Sequence, residues 1–444
     1  MNDLNTKTTL KRSLSLPLLI MFGLAYLAPT VVFNYYGIFT EMTAGMYTLA
    51  FAITTVIMFF TAYSYVQMVK VYPVAGSAYT YVNKSVQPHV GFLTGWVMLL
   101  DYLLLPMICY LLLGIYINEF FPVIPVWVIV VVVAVLSAVI NIIGMKTASI
   151  INTIIIAAQI GFTLLLIIVI IKYVSGGGGT ADLTVSEAIY NPVTFNMGAI
   201  LTASSVLCVS FVGFDAVSTM AEETKNPEKV MGKAIMGVTL GAGVLFMVTS
   251  YFTQIAWPNA YQEIENVDAG IFELFPQIGE EWLGNVFFIT DNAASFICAM
   301  AGMAAVSRIL LGMGRDNILP KKFFGRISPR FQTPVNNILL TSLIAMTALL
   351  YQDNLFGAVV GFFMVNLSVV FHYYVKLKFR GGKNTFKYLI IPSLGMISLF
   401  IVFLNIETNA KILGGIWLII GIIYLAAKTK GFKQLPPEMK LIEE

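Results

Sequence analysis

Charge is scarce in this chain. Only 11% of its 444 residues are Asp, Glu, Lys or Arg, where a soluble domain carries about a quarter. With 58% hydrophobic residues and a mean hydropathy of +0.84, that shortfall excludes an ordinary soluble enzyme, a disordered chain and a nucleic-acid binder. The net charge of +3 is too small to call for a polyanionic partner. Cysteine is scarce as well: three in 444 residues cannot build a disulfide framework. Cys109, Cys208 and Cys298 each fall inside an apolar run and read as small buried hydrophobes. The two histidines, His89 and His372, have no Cys or acidic cluster beside them in sequence. The glycine run Gly176–Gly179 lacks the Lys-Ser/Thr of a phosphate-binding loop. Nothing here implies a metal, a cofactor or ATP-driven chemistry.

Long apolar runs are what the chain does have. A helix needs about 20 mostly apolar residues to cross the hydrocarbon core, and twelve segments qualify. They are residues 16–40, 45–69, 90–119, 123–144, 150–172, 196–221, 232–256, 284–311, 336–350, 355–378, 386–404 and 411–428, here called spans 1 to 12. The ninth is the shortest. The run after Arg12 is too long for a cleavable signal and has no small-residue cleavage site. Twelve spans put both termini on one side, and the basic residues say which. Alternate connecting segments, with the two tails, hold 24 of the 26 Lys and Arg. Positive charge collects in the cytoplasm, so both termini are cytoplasmic. The chain is an all-α integral membrane protein of the plasma membrane, with the bilayer as its first partner. Its outer loop 173–195 reads as a flexible tether at Gly176–Gly179; its outer loop 257–283, with Glu263, Glu265, Asp268, Glu273, Glu280 and Glu281, reads as a solvated acidic face, the alternative being a face that concentrates cations near the entrance.

Function is sought where charge is expensive. An acid at the centre of a membrane helix costs roughly 2.5–3.5 kcal/mol on insertion scales, yet Asp101, Asp215 and Asp291 lie well inside spans 3, 6 and 8. No Lys or Arg lies deep in a predicted span to pair with them. They are protonated, hydrogen-bonded, ion-bound or waiting for a cationic ligand. Two spans also carry helix breakers at similar depth: Tyr26-Leu-Ala28-Pro29-Thr30 in span 1 and Ser210-Phe211-Val-Gly213-Phe214-Asp215 in span 6. Matched interruptions in two halves point to a transporter built from inverted repeats. Free amides at the start of each outer half-helix favour anionic ligand groups, and free carbonyls favour cations. Tyr26, Tyr35, Phe211 and Phe214 offer aromatic walls. No filter-like repeat suggests a channel.

These residues resemble the amino acid–polyamine–organocation permeases. Phe211-Val-Gly-Phe-Asp215 followed by Ala221-Glu-Glu-Thr-Lys-Asn-Pro227 is similar to that family's sixth-span signature. Pro73-Val-Ala-Gly-Ser-Ala-Tyr79 resembles its loop after span 2, and Gly314-Arg-Asp-Asn-Ile-Leu-Pro320 its loop after span 8. Leu100-Asp-Tyr-Leu-Leu-Leu-Pro-Met107 and Pro88-His-Val-Gly-Phe92 are similar to the putrescine-importing subgroup. The resemblance runs from about residue 12 to 425. It implies a cytoplasmic tail 1–15, repeats of five spans at 16–172 and 196–378, two added spans at 386–428 and a second tail 429–444. It implies a secondary importer of a small amine, a polyamine such as putrescine, or alternatively of a neutral or cationic amino acid. Substrate contacts would come from Tyr26, Ala28, Pro29, Thr30, Asn34, Asp101, Tyr102, Phe211, Gly213, Phe214, Asp215 and Asp291, with Asp215, Glu222 and Glu223 in coupling or gating. The chain departs from the subgroup twice. Asn34 stands where an aspartate is expected, and Asp291 stands where an uncharged residue is expected. Either a carboxylate has moved within the site or the ligand is an amino acid. Span 5 has no lysine over 150–171, which leaves H+ coupling through an aspartate, Na+ coupling, exchange and uniport open.

Overall fold

The computed structural model describes residues 10–346, 356–406 and 408–434. Among them the regular elements are helical, apart from one isolated bridge between Leu14 and Thr224. Eleven helices are long and apolar enough to cross a membrane, and they coincide with eleven of the twelve predicted spans. Span 9 is the shorter apolar helix Val335–Ala345; its predicted end at 350 lies outside the described residues.

Both predicted interruptions are present, and each has a local cause. The first helix, Leu16–Leu27, stops where Ala28 turns to φ 51° and Pro29 contributes no N–H; helix resumes at Val31–Asn34. In span 6, helix Met197–Leu207 tightens into the 3₁₀ turn Cys208–Phe211 and extends at Val212. Gly213 then adopts φ +128° before helix resumes at Ala216–Thr219. A Cβ on Gly213 would lie 2.7 Å from the Tyr26 ring. The two breaks therefore touch, and only glycine allows the approach.

The spans pack in a repeating way. Span 2 (Tyr47–Val71) lies along span 7 (Pro227–Ala256), span 3 (Pro88–Asn118) along span 8 (Trp282–Arg315), and span 4 (Val126–Ile143) along span 9. Each pair joins positions five apart in chain order, as two interlocked sets of five require. Polar side chains stitch these contacts, since lipid gives apolar faces little reason to prefer one another. Ser64 donates to Asn366 Oδ1 at 2.7 Å, and Asn366 Nδ2 donates to Thr61 at 3.2 Å, joining spans 2 and 10. Span 12 (Thr408–Lys428) is held on span 3 by stacked Trp96 and Trp417, each indole N–H donating to the other's backbone carbonyl at 2.9 and 2.7 Å. Burial ranks the spans: 94% of the apolar window of span 8 is buried, against 22% of that of span 12. Span 8 is the core post and span 12 faces lipid.

Two expectations change, for the Gly176–Gly179 run and for Arg308, and the acidic loop gains definition. The Gly176–Gly179 run is seated rather than free: Gly178 N donates to Tyr173 O at 3.1 Å, and Thr180 N to Ile255 O at 3.0 Å, docking the end of span 5 on the end of span 7. The acidic loop 257–283 is structured, with helices Ala260–Glu263 and Gly270–Gln277. Lastly, Arg308 lies about two turns inside the end of helix Trp282–Arg315 and is fully buried, so a basic residue does sit deeper than the sequence reading allowed.

Replacing Gly213 with Ala is expected to destabilise the protein by about 1–3 kcal/mol. This should be read as a lower melting temperature in detergent. An unchanged melting curve would show that the break accommodates a side chain.

Candidate substrate site

A cavity of about 390 Å³ begins at the breaks of spans 1 and 6 and runs to the outer loop 257–283. Its lining includes Tyr26 and Ala28 at the floor and Asp268 and Phe272 of that loop, with no residue of the cytoplasmic segments. It faces outward. Three carboxylates line it, Asp101, Asp268 and Asp291, with no Lys, Arg or His among its described lining residues. In a space walled by membrane helices, such a set favours a cation.

Asp291 sits at the meeting of spans 1, 5 and 8. Its Oδ1 accepts from the Thr30 hydroxyl at 2.9 Å and from Asn34 Nδ2 at 3.1 Å, and Asn34 also reaches Oδ2 at 3.3 Å. Gln159 of span 5 (Met145–Ser175) accepts the Thr30 amide at 3.3 Å. Asn34 and Asp291 are thus hydrogen-bonded partners: the carboxylate of span 8 lies against the very position where the resemblance expected one in span 1.

Asp101 has a second duty. Its two oxygens accept from the amides of Gly357 at 2.9 Å and Ala358 at 2.5 Å, in the first described turn of span 10. A carboxylate on unanswered helix amides is stabilised by them, so Asp101 both lines the cavity and fixes span 10 to span 3. Asp215 does not line the cavity. It is fully buried, accepts from the Tyr102 hydroxyl, and takes the Gly213 amide at 3.0 Å. Tyr26, in edge contact with Tyr102 at 5.7 Å between centroids, separates it from the open space.

The expected residues therefore divide. Tyr26, Ala28, Asn34, Asp101 and Asp291 line the cavity, as does Tyr35. Thr30 reaches it through Asp291, Pro29 is buried at the break without lining it, and Gly213, Tyr102 and Asp215 join behind Tyr26. Phe211 and Phe214 turn away: Phe211 packs on Phe246, and Phe214 on Tyr65 and Phe362. The break amides are also less available than the sequence suggested. Thr30 N is taken by Gln159, Val31 N by Ala28 O, Val212 N by Val209 O, Gly213 N by Asp215 and Phe214 N by Phe211 O. Span 6 runs inward, so the amides at its break belong to its inner half.

Ser210, named only within a break by the sequence, is also a residue of the cavity wall, and its hydroxyl is buried without a partner in the protein. Nothing in the sequence separates it from other serines.

Glu222 and Glu223 lie at the cytoplasmic end. Glu223 pairs with buried Arg308 at 2.8 Å, and Glu222 with Arg315 at 2.7 Å. The tail joins them: Ser13 and Leu14 amides both donate to Glu223 O at 2.9 Å, and Lys225 N donates to Leu14 O. Nearby, the Tyr79 hydroxyl donates to Asp316, whose carboxyl burial pushes up to about 6. These contacts close the inner side.

An outward cavity ringed by carboxylates, over two touching helix breaks and a closed inner face, is the plan of a carrier, and similarity to known proteins agrees. The family model for amino acid permeases matches residues 19–375. The chain belongs to the amino acid permease family. It is 34% identical over 98% of its length, and 97% of the relative's, to the low-affinity putrescine importer PlaP of Escherichia coli. It is 27% identical, over 92% of each chain, to the branched-chain amino acid permease BcaP of Lactococcus lactis. It is 28% identical over 70% of its length, and 54% of the relative's, to the vacuolar cationic amino acid transporter 4 of Arabidopsis thaliana. The chain is thus a multi-pass membrane permease with the family's broken-helix fold, and a transporter rather than an enzyme.

For this permease, removing one partner of the buried pair leaves an uncompensated charge. Arg308→Met alone is expected to destabilise by about 3–5 kcal/mol, and Arg308→Met with Glu223→Leu to recover much of it in thermal unfolding. Equal losses in both would assign the weight to packing instead.

Proposed function

We propose that this permease imports a small organic cation, a polyamine such as putrescine, by alternating access of two five-span repeats at 16–172 and 196–378, with 386–428 added outside them. The observation that carries the reading is the cavity of about 390 Å³ with three carboxylates and no basic side chain among its described lining. The occupied break amides support it further. A zwitterion needs donors for its carboxylate, and the amides of Thr30, Val31, Val212, Gly213 and Phe214 already have acceptors. The Asn34–Asp291 contact supports a carboxylate moved across the site over a changed ligand class.

In this scheme an ammonium group loses water on entering from outside and gains Asp291 and Asp101. The Tyr26 face adds about 0.5–2 kcal/mol of cation–π attraction. Release of Glu223 from Arg308, Glu222 from Arg315 and Tyr79 from Asp316 then opens the inner side. Movement of Tyr26 and Tyr102 uncovers Asp215 to carry the cation onward. For a dication the membrane potential alone supplies about 4.6 kcal/mol per 100 mV, to which coupled H+ or Na+ would add.

The deciding experiment is uptake of labelled putrescine into proteoliposomes under imposed pH, sodium or potential gradients, with spermidine, arginine, serine and glutamate as competitors. Saturable uptake displaced by spermidine is expected, and the gradient that drives it names the coupling ion. Uptake of a neutral amino acid in its place would assign the chain to the second reading, an amino acid importer or exchanger like its branched-chain relatives. Asp215→Asn is expected to abolish uptake at normal membrane expression; full uptake would remove Asp215 from the path.

A further inference from the structure

In the sequence, one carboxylate of the cavity is only one of six acids in the outer loop. Asp268 lies in the 3₁₀ turn Val267–Ala269 of the outer loop, and its place there is fixed. Its amide donates to Asn266 Oδ1 at 3.2 Å, and Ala269 N donates to Asn266 O at 3.0 Å. Glu273 accepts the amides of Glu265 and Asn266 at 3.1 and 2.8 Å. The turn rests directly on the outer half of span 1: Gly270 lies so close to Gly37 that a Cβ there would come within 2.7 Å of the Gly37 Cα. Asp268 is thereby held at the mouth of the cavity by backbone contacts.

Its charge is unspent. In the same loop Glu263 accepts from the Trp257 indole at 2.5 Å, Glu280 from the Trp282 indole at 2.6 Å, and Glu273 from two amides. Deeper in the cavity Asp101 accepts two amides, and Asp291 accepts Thr30 and Asn34. Among the described residues no donor or cation meets the Asp268 carboxylate. The cavity thus has one unanswered carboxylate, at its outer mouth, and two engaged carboxylates deeper on its walls.

We propose that Asp268 binds the second ammonium group of a diamine whose first ammonium lies deeper in the cavity, against Asp101 and Asp291, and so selects diamines over monoamines. The proposal rests on the amine reading above. A monoamine fills only the deep end. A diamine must also place a charge beside Ile271 and Phe272, which line the same stretch, and a charge there without a counter-ion is penalised. Asp268 removes the penalty. Because it is exposed, its effect has the size of a screened pair rather than a buried one.

The test compares the KM for putrescine with the inhibition constant of butylamine, in proteoliposomes holding the full chain. Asp268→Asn should raise the putrescine KM about fivefold and leave the butylamine constant in place, and Asp268→Glu should restore the KM. Asp291→Asn should raise both constants together, since both ligands use the deep end; if neither moves, the deep contact assigned to Asp291 is wrong. If butylamine fails to inhibit the unaltered protein, selection is complete and the KM change alone decides. A KM unaffected by Asp268→Asn, or equal shifts for putrescine and butylamine, overturns the proposal while leaving the amine reading intact. Absence of putrescine uptake by the unaltered protein overturns the amine reading itself, and this one with it.

Discussion

The architecture depends on backbone that is not helical at mid-membrane. In hydrocarbon an unanswered N–H or C=O costs several kcal/mol, so a break survives only where protein or a polar cavity meets the freed groups. Here Pro29 and Gly213 open the two helices, and the repair is local. Gln159 takes the Thr30 amide, Asp215 takes the Gly213 amide, and the Tyr26 ring occupies the space that a Cβ on Gly213 would need. The breaks stabilise each other by contact, and the cavity is the space left above them.

That arrangement explains why the three buried aspartates are unlike one another. Asp215 belongs to the repair of span 6 and lies under Tyr26 and Tyr102. Asp101 answers the amides of span 10 while still touching open space, so it couples a wall of the cavity to the position of a neighbouring helix. Asp291 bridges spans 1 and 8 through Thr30 and Asn34. In the proposed import, a cation entering between them would compete for acceptors that already hold the helices in place, so the same atoms would link binding to helix movement. At the inner face, the buried Arg308–Glu223 pair and the backbone bridge at Leu14 hold the opposite end shut.

Much of this was legible before any coordinates. Apolar length and the sidedness of Lys and Arg located the spans, because hydrocarbon thickness and membrane sidedness act on composition alone. Pro29 and Gly213 announced the breaks, because their backbone chemistry is intrinsic. The illegible parts were those set by what lies across a gap. Phe211 and Phe214 differ little from Tyr26 as aromatic residues, yet they pack outward from the site. The Gly176–Gly179 run has a linker's composition but docks on span 7. Arg308 reads as a loop cation until Glu223 is found beside it.

The sequence by itself determined the membrane class, the orientation, the two broken spans and the presence of three acids within spans, since each follows from residue chemistry or from spacing along one helix. Only the tertiary structure decided which acids face open space, that Asn34 and Asp291 share one hydrogen-bonded position, and that Asp268 of a distant loop stands at the same cavity. Those facts depend on distances between helices far apart in the chain. No local pattern encodes them, because they arise when packing brings separate segments together.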